Sequence, residues 1–571
     1  MGRLFARLAT SKRVHAMSEI MLRAWQSEAT AKALKWFKEC EGDRHFLINA
    51  APGAGKTICA SVIAKRLLEA GDVERVIVIA PRAEVVKQWG DEFRFVTGRH
   101  MTKVTGADGD VSDFGMDLCA TWAAIQSLQD AFQAVCHQSK TLVICDEHHH
   151  AAVEAAWGAK ANDAFHQAKY VLVLTGTPIR SDGQETVWLA FDDNGQIDHP
   201  EAGTYTLGYG ESVELNYCRP ITFHRHEGRF SVKLSEDEVI SVSGTDTVAM
   251  DPSLKRVKGL QQALDYYRLV CTPKFLADGI TPDPSSYQAT MLEWGISKLD
   301  DLRETVPQAG GLVIAPSIGV AEYMAELLER LDGEKPILVH SQMANAESRI
   351  AAFKNSNKRW LVSVAMISEG VDIKRLRLLV YLPNAKTELA FRQAMGRVVR
   401  TLGPDDYSRA YVVMPTLSIL EEYARRVERE MGAAGKQLEA KSTKICGTCG
   451  SENERSATNC VSCGEAFPAR KQRFKACDSC EGLNPFSAND CQHCGATFKA
   501  NYEITLNEAL RMGAIVRGMD LDEEEVQDAE ANKKQILKDI LASGDDAIIR
   551  IVKQLPEESY GRLRKILNPD L

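Results

Sequence analysis

Short runs of apolar residues alternate with longer amphipathic stretches in two parts of the chain. The first part contains FLIN (46–49), RVIVIA (75–80), TLVICDE (141–147) and YVLVLTGTP (170–178). The second part contains GLVIAPS (311–317), PILVHSQ (336–342), WLVSVAM (360–366), LLVYLP (378–383) and AYVVMP (410–415). Runs of this length, rich in Val, Ile and Leu, are typical of strands that are buried on both faces of a parallel sheet. The pattern therefore predicts two α/β domains, one at residues 17–215 and one at residues 306–432.

The segments outside these two domains differ from them in composition. Residues 1–16 are basic and contain no acid, which predicts a disordered tail or an N-terminus assigned upstream of a true start at Met17. Residues 216–305 are more polar and irregular, and we interpret them as a connector or insertion. Residues 501–571 hold 15 acidic and 10 basic side chains, and their apolar residues recur at helical spacing. They predict a small, acidic helical domain.

Composition and charge exclude several classes of protein. No apolar run approaches the roughly 18 residues that span a bilayer, so an integral membrane protein is excluded and we expect no membrane partner. The net charge of −9 argues against indiscriminate binding to nucleic acid, but a local basic groove can exist on an acidic protein.

The strongest chemical signal is Ala51-Pro-Gly-Ala-Gly-Lys-Thr57, which follows one apolar run and precedes a helical stretch. A phosphate chain is bound by backbone N–H groups of a tight loop, which requires residues such as Gly53 and Gly55. Lys56 would supply a positive charge to the β- and γ-phosphates, and Thr57 a hydroxyl ligand to Mg2+. The segment therefore predicts a site for a nucleoside triphosphate.

Two carboxylates follow the buried run that ends at residue 145. Asp146 is placed to hold Mg2+, and Glu147 to polarise the water that attacks the γ-phosphate. Three histidines come next, at residues 148–150. Because consecutive side chains point in different directions, we do not expect them to share one metal ion.

Together with several downstream segments, these motifs resemble the superfamily 2 helicases and translocases over about residues 20–415. The resemblance implies two tandem RecA-like domains that close on ATP, and it implies that Gln26 in LRAWQSEA reads the adenine base. IAPRAEVVKQW (79–89) and TWAAIQS (121–127) resemble segments that touch the nucleic-acid backbone in that family, and LTGTP (174–178) resembles the one that couples hydrolysis to strand movement.

The second domain carries two more segments of the same family. AMISEGVDI resembles motif V, and QAMGRVVR resembles motif VI, whose arginines stabilise charge that develops on the γ-phosphate. The resemblance implies that Gly370, Asp372 and Gln393 help to hold the nucleotide. It also implies a catalytic role for Arg397 and Arg400, of which Arg400 is expected to make the more direct contact.

The sequence favours DNA over RNA as the substrate. LTGTPIR resembles phage and restriction-type helicases and Swi/Snf-type translocases, and motifs typical of the RNA DEAD-box group are absent. The chain as a whole most resembles the branch that holds DNA-repair helicases and the translocating subunit of type III restriction enzymes. We therefore predict a cytoplasmic, bacterial or phage-encoded ATP-dependent helicase or translocase that acts on single-stranded or branched DNA in repair, recombination or replication. Two alternatives remain open, namely a translocating subunit of a restriction or phage-defence system, and an RNA-directed ATPase.

Eight of the fifteen cysteines lie between residues 440 and 500, all in CxxC pairs. The first quartet is Cys446, Cys449, Cys460 and Cys463, and the second, 31 residues later, is Cys477, Cys480, Cys491 and Cys494. Four thiolates at this spacing can close a tetrahedral zinc site that has no open position for catalysis. A chain without a secretory leader favours metal over disulfides, so we predict two zinc ribbons that hold two Zn2+ ions.

The function of the ribbons is less closely defined by their sequence. Their spacing resembles Ran-binding-protein fingers, but Lys444 and Lys475 stand where those fingers carry a Trp. The segment at residues 470–475 offers four cations and one aromatic ring, which suit contact with phosphates and bases. We predict that the ribbons contact nucleic acid and that the acidic C-terminal helices bind a protein partner.

Overall fold

The structure is a computed structural model of the chain. It describes residues 21–505 except for 41, 82, 105–115, 148–155, 177–187, 189, 192–196, 234–238, 245–263, 341, 344, 365–372, 385–386, 404–405, 433–442, 455–456, 468–473, 478, 481, 486–490 and 496–500.

The first domain is a seven-stranded parallel sheet with helices on both faces. Its elements are α1 (Ala24–Glu39), β1 (His45–Ala50), α2 (Lys56–Glu69), β2 (Arg75–Ala80), α3 (Ala83–Thr97), β3 (Met101–Val104), β4 (Asp117–Thr121), α4 (Trp122–Gln138), β5 (Thr141–Cys145), α5 (Ala156–Phe165), β6 (Tyr170–Thr175), β7 (Ala190–Phe191), β8 (Ile197–Asp198) and β9 (Thr204–Leu207). The strand order is β3-β4-β2-β5-β6-β1-β9, with every pair parallel, and β7 and β8 form a separate hairpin.

Alternate residues of β1 show how the first sheet is buried. Phe46 and Ile48 pack into a core beneath α1 and α2, whereas Leu47 faces a second core that includes Phe132 and Phe165. Burial of both faces explains why the strands are continuous apolar runs.

The second domain repeats this architecture with six parallel strands. Helix α6 (Tyr209–Glu214) joins the two domains. The following elements are β10 (Ile221–His226), β11 (Arg229–Lys233), β12 (Val239–Ser243), α7 (Tyr266–Val270), α8 (Tyr287–Thr305), β13 (Gly310–Ala315), α9 (Ile318–Asp332), β14 (Ile337–Val339), α10 (Ala346–Lys354), β15 (Trp360–Val364), β16 (Leu376–Tyr381), α11 (Glu388–Met395), β17 (Ala410–Pro415) and α12 (Ser418–Met431). The sheet order is β10-β17-β16-β13-β15-β14. The predicted α/β class with two parallel-sheet domains is confirmed.

Both ends of the segment predicted to be a connector, residues 216–305, belong to the second domain in the structure. Strand β10 pairs in parallel with β17 at the edge of the second sheet. Helix α8 packs on the same sheet. The packing is close at Gly295, where an added Cβ would lie 3.2 Å from the Trp360 ring. Strand β10 could not be recognised from its sequence because it is an edge strand, in which polar residues lie among the apolar ones.

Past the second domain, the chain forms two small hairpins and one further strand. They are β18 (Thr443–Ile445) with β19 (Glu452–Glu454), β20 (Phe474–Ala476) with β21 (Leu483–Pro485), and β22 (Asn501–Thr505). Strand β22 runs parallel to β11 and completes the three-stranded sheet β12-β11-β22.

The C-terminal segment that was predicted to be helical begins with a strand, β22. Tyr502 and Ile504 are buried, and the Tyr502 ring lies 5.4 Å from Phe230 and 5.3 Å from Tyr287 between centroids. Alternating inward side chains favour a strand here. The rest of that predicted domain, residues 506–571, lies outside the described residues, as does the predicted tail at residues 1–16. Among the described helices, none combines the length and apolar character needed to cross a membrane.

Candidate active site

The predicted phosphate-binding segment, residues 51–57 (the phosphate loop), runs from the end of β1 into the start of α2. Gly53 and Gly55 have φ angles of 83° and 98°, which side-chain-bearing residues rarely adopt. Gly55 is the N-cap residue of α2, so the unpaired N–H groups of the first helical turn face the loop. The Lys56 ammonium donates to the Ala50 carbonyl at 2.9 Å, and Thr57 is the second residue of the helix. The loop therefore has the conformation that binds an anion.

Asp146 and Glu147 lie directly after β5, as predicted. Burial and the adjacent Glu147 carboxylate raise the pKa of Asp146 to about 6, against the opposing effects of Trp89 and Lys56. The φ angle of Glu147 is 49°, in the left-handed region that non-glycine residues seldom occupy. Such backbone strain is concentrated at functional sites.

Trp89 is a site residue that the sequence reasoning missed. Its buried indole N–H donates to Asp146 Oδ2 at 2.8 Å. The residue closes the segment at residues 79–89, which the resemblance assigned to nucleic-acid contact alone. Helix α3 therefore also fixes the orientation of the Asp146 carboxylate.

The start of α1 clamps the phosphate loop from outside. Gln26 is buried, and its amide donates to the Gly55 carbonyl at 3.0 Å while its oxygen accepts from the Arg23 N–H at 2.9 Å. The Arg23 guanidinium and the Trp25 indole both donate to the Ala54 carbonyl, at 2.9 and 3.2 Å. Gln26 was predicted to contact the adenine base, which stays a prediction, and the structure places its amide against the phosphate loop. Arg23 and Trp25, within three residues of Gln26, were not predicted.

Motif VI reaches the phosphate loop from the second domain. A Cβ placed on Gly53 would lie 2.9 Å from Arg400 Cγ, and one on Gly396 would lie 2.9 Å from the Pro52 Cβ. The Arg400 Nε donates to the Gly396 carbonyl at 3.1 Å. The structure thus brings Arg400 and the phosphate loop together, and the two approach so closely that glycine is required at Gly53 and Gly396.

The other motif VI residues are placed less directly. Arg397 is buried one turn before Arg400, and Gln393 is half-buried on α11. Gly370 and Asp372 lie outside the described residues, as do the histidines at 148–150.

A thiol also joins the two domains at this interface. The Cys218 Sγ donates to the Pro52 carbonyl at 3.2 Å, and the Cys218 backbone forms an antiparallel bridge with Arg400. Burial raises the pKa of Cys218 to about 12, so the thiol stays protonated and able to donate. A cavity of about 340 Å³ opens beside Pro52, and its walls come from both domains.

Each cysteine quartet forms a compact cluster. In both quartets, the four sulfur atoms lie within 4.8 Å of one another. The paired Sγ–Sγ distances are 3.6 and 3.5 Å in the first cluster and 3.7 and 3.5 Å in the second. Tetrahedral zinc with Zn–S bonds of about 2.3 Å requires roughly 3.8 Å between sulfurs, whereas a disulfide requires about 2.05 Å. The donor set and the spacing fit zinc, and each cluster can hold one ion.

The asparagine that repeats with the cysteines has the same structural role in both ribbons. Asn453 donates to the Ser451 carbonyl and the Cys460 sulfur, and its oxygen accepts from the Val461 N–H at 2.7 Å. Asn484 makes the equivalent bonds to the Gly482 carbonyl, the Cys491 sulfur and the Gln492 N–H. These amides orient the thiolates, as the outer partners of metal ligands generally do.

Lys444 takes part in the core of the first ribbon. It is buried, and its ammonium lies 4.1 Å from the centre of the Phe467 ring. The stabilisation comes from the attraction between a cation and the face of an aromatic ring. The segment at residues 470–473 lies outside the described residues, so the predicted nucleic-acid contact there stays a prediction.

Two family models match the chain, one in each α/β domain. Residues 19–180 match the res subunit of type III restriction enzymes, and residues 296–401 match the helicase conserved C-terminal domain.

Three curated proteins illustrate the range of relatives. An uncharacterized protein of Mycobacterium tuberculosis is 30% identical over 407 residues, which cover 71% of this chain and 63% of the relative. An uncharacterized protein of Mycobacterium leprae is 30% identical over 412 residues, which cover 72% and 64%. The chain therefore spans slightly less than two thirds of these mycobacterial proteins. The DNA 3'-5' translocase XPB2 of Sulfurisphaera tokodaii is 23% identical over 395 residues, which cover 67% and 79%.

Solved structures of similar fold include two nucleic-acid complexes. One is the ATP-dependent type ISP restriction-modification enzyme LlaBIII bound to DNA, at 16% identity and a TM-score of 0.45, covering 96% of this chain and 38% of that one. The other is Saccharomyces cerevisiae Dbp5 bound to RNA and ADP BeF3, at 11% identity and a TM-score of 0.42, covering 72% and 92%.

Proposed function

We propose that the chain is an ATP-dependent helicase or translocase of superfamily 2, which hydrolyses ATP to translocate along DNA or to separate its strands. The proposal is supported by the match of its two α/β domains to a restriction-enzyme res subunit and to the helicase conserved C-terminal domain. The observation that carries the proposal is the position of Arg400 against Gly53, which unites the two halves of one ATP site. DNA is favoured over RNA because the first domain matches a restriction subunit and because one relative is named a DNA translocase.

The residues of the loop and of β5 divide the chemistry between them. The glycine loop and Lys56 hold the phosphates, and Glu147 takes a proton from the attacking water. The Thr57 hydroxyl and the Asp146 carboxylate are oxygen donors of the kind that Mg2+ prefers, and they would hold that ion. When bound, Mg2+ neutralises charge on the phosphate oxygens. Arg400, aided by Arg397, stabilises the charge that develops as the γ-phosphate leaves.

The closed interface indicates how hydrolysis becomes movement. Bound ATP adds contacts to both Gly53 and Arg400, which stabilises the closed arrangement of the domains. Loss of the γ-phosphate removes those contacts, and the domains separate at Pro52 and Cys218. Each cycle then shifts one domain along the strand relative to the other.

We assign the zinc ribbons to nucleic-acid contact. Their clusters fit two Zn2+ ions, and binding of the metal would supply much of the folding energy of such small modules. Since Lys444 already packs against Phe467, contact with DNA falls to the basic sequence at residues 470–475. The acidic segment at residues 506–571 is left to dock a protein partner.

The match to a restriction subunit also favours a second candidate function. In that case the ATPase drives a nuclease on another chain, within a restriction or phage-defence system. Affinity purification from the native host distinguishes the two, because a nuclease subunit would elute with the chain in a fixed ratio.

The test of the proposed function is ATP hydrolysis measured with single-stranded, duplex and branched DNA and with matched RNA. We expect DNA to stimulate turnover and RNA to have little effect. Glu147→Gln keeps the size of the side chain but removes the base, so the variant should bind ATP and DNA while turnover stops. A Glu147→Gln protein that hydrolyses ATP at the wild-type rate would refute the assignment, and stimulation by RNA alone would favour an RNA-directed ATPase.

Lys56→Ala provides the loss-of-binding reference for that experiment. It removes the only charge that the loop itself offers to the phosphates, so ATP hydrolysis should be abolished. Lys65→Ala is the matched control, since Lys65 lies on the same helix two and a half turns away. We expect the control to retain wild-type turnover.

A further inference from the structure

The segment that enters the second domain runs antiparallel to the end of motif VI. The Arg219 N–H donates to the Val399 carbonyl at 2.6 Å, and the Thr401 hydroxyl donates to the Tyr217 carbonyl at 3.4 Å. Between these two bonds, Cys218 bridges the backbone of Arg400. The backbone of Arg400 is therefore held by the interdomain segment on both sides.

The Arg219 side chain adds hydrogen bonds to residues inside the second domain. It is fully buried, and its guanidinium donates to the carbonyls of Val398 and Leu376 at 2.9 and 3.1 Å. It also donates to the Lys374 carbonyl at 2.9 Å and to Asp406 Oδ2 at 2.6 Å. One planar group thus ties the end of motif VI to the start of β16 and to the loop before β17. A lysine at this position could not make the same set of bonds, because its three donors radiate from one atom.

Asp406 is the charged partner that keeps this arginine in place. It accepts from Arg219 and Arg377, from the Leu402 N–H at 2.8 Å and from Ser408. Burial by itself would raise the pKa of Asp406, but the two arginines hold it well below its usual range. The carboxylate stays charged, and breaking such a buried pair leaves an uncompensated charge behind.

We propose that Arg219 is a positioning residue for ATP hydrolysis, which fixes the backbone of Arg400 opposite the phosphate loop. The inference rests on the proposed function, because it acts through the Arg400 side chain. The contacts of Arg219 reach the phosphate loop through this stretch of backbone and through the adjacent Cys218, whose thiol donates to the Pro52 carbonyl.

The chain contains a matched arginine that lacks this connection. Arg375 is buried in the same domain, and its guanidinium donates to the carbonyls of Phe353, Gln308 and Lys358. None of these carbonyls belongs to motif VI. Replacement of either arginine by lysine removes a comparable set of buried bonds, but only one replacement loosens Arg400.

The experiment compares Arg219→Lys with Arg375→Lys in steady-state ATP hydrolysis by the full chain. Arg219→Lys should lower kcat about 100-fold, since a displacement of about 1 Å in a catalytic group has that effect, while the KM for ATP stays near its wild-type value. Arg375→Lys should lower the Tm without changing kcat. If Arg219→Lys fails to fold, Asp406→Asn serves in its place, because it keeps the size of the side chain but removes the negative charge that pairs with Arg219. A kcat within twofold of wild type for the folded variant, or an equal loss in Arg375→Lys, overturns the proposal.

A double variant shows whether Arg219 acts through Arg400. If it does, Arg219→Lys combined with Arg400→Ala should be no slower than Arg400→Ala alone, because residues that act as a unit are not additive. Additive losses in the double variant overturn the proposal. Wild-type turnover in Arg400→Ala would refute the proposed role of that arginine as well, whereas a slow Arg400→Ala beside a normal Arg219→Lys refutes the positioning role alone.

Discussion

Replacement of Trp89 by phenylalanine tests whether α3 controls the magnesium site. The substitution keeps an aromatic ring in the buried position and removes the N–H that donates to Asp146 Oδ2 at 2.8 Å. We expect the Asp146 carboxylate to lose its fixed orientation, so that magnesium binds more weakly when ATP is present.

The size of the effect follows from the bond that is lost. A hydrogen bond to a charged group contributes about 1.5–3 kcal/mol. At about 1.4 kcal/mol for each factor of ten, this corresponds to about 10–100-fold in magnesium affinity. The same range is typical when the outer partner of a metal ligand is removed.

The measurement is the ATPase rate as a function of Mg2+ concentration, at saturating ATP and DNA. Trp360→Phe is the matched control, because the Trp360 indole also donates to a carboxylate, Asp332, at 3.0 Å, but lies far from the phosphate loop in the second domain. Both variants should lose thermal stability, and only Trp89→Phe should need more magnesium for its half-maximal rate. An unchanged magnesium requirement in Trp89→Phe, or an equal change in Trp360→Phe, would show that the reasoning is wrong.

Three further predictions concern the second domain and the ribbons. Arg400→Ala should lower kcat roughly a thousandfold with a small change in the KM for ATP, because it acts on charge that develops in the transition state; a raised KM with normal kcat would contradict this. Elemental analysis of the purified protein should find two zinc ions per chain, falling to one in Cys446→Ser or in Cys477→Ser, and an absence of zinc would remove the ribbon assignment. Tyr502→Ala should lower the Tm strongly, since truncation of a buried aromatic ring costs about 3–5 kcal/mol. Tyr502→Phe, which loses only the bond to Thr290 at 2.7 Å, should cost about 1 kcal/mol, and equal shifts in the two Tyr502 variants would show that the ring is not packed.

Strands β1, β2, β5 and β6 of the first sheet and β13, β15, β16 and β17 of the second could be predicted from the sequence because they are longer apolar runs buried on two faces. Such a strand is apolar at most of its positions, and this pattern is visible without any knowledge of its neighbours. Strands β10 and β22 escaped prediction for the opposite reason. His224 and His226 interrupt the apolar pattern of β10, and β22 acquires its partner from a strand 272 residues earlier in the chain. A short strand at the edge of a sheet is defined by its partner more than by its own composition.

The candidate site divides in a similar way. Lys56, Asp146 and Arg400 could be proposed from the sequence because their chemistry requires fixed neighbours there. These neighbours are a glycine loop, an apolar strand and a second arginine at a set spacing. Trp89 and Arg219 carry no such local mark. Each is a buried side chain that hydrogen-bonds to a residue 57 or more positions away, so its role exists only in the folded chain.

Trp89 and Arg219, which the sequence did not predict, have the same structural role in their two domains. Trp89 orients the carboxylate in the first domain, and Arg219 holds the backbone of Arg400 in the second. Two residues of the proposed ATP site are thus supported by a buried polar side chain, and buried polar bonds have geometric requirements that apolar packing lacks. The interdomain segment that carries Arg219 also carries Cys218, which contacts the phosphate loop itself. A change in the separation of the two domains would therefore alter the contact at Pro52 and the position of Arg400 together, so the proposed role of Arg400 in hydrolysis would be coupled to domain closure.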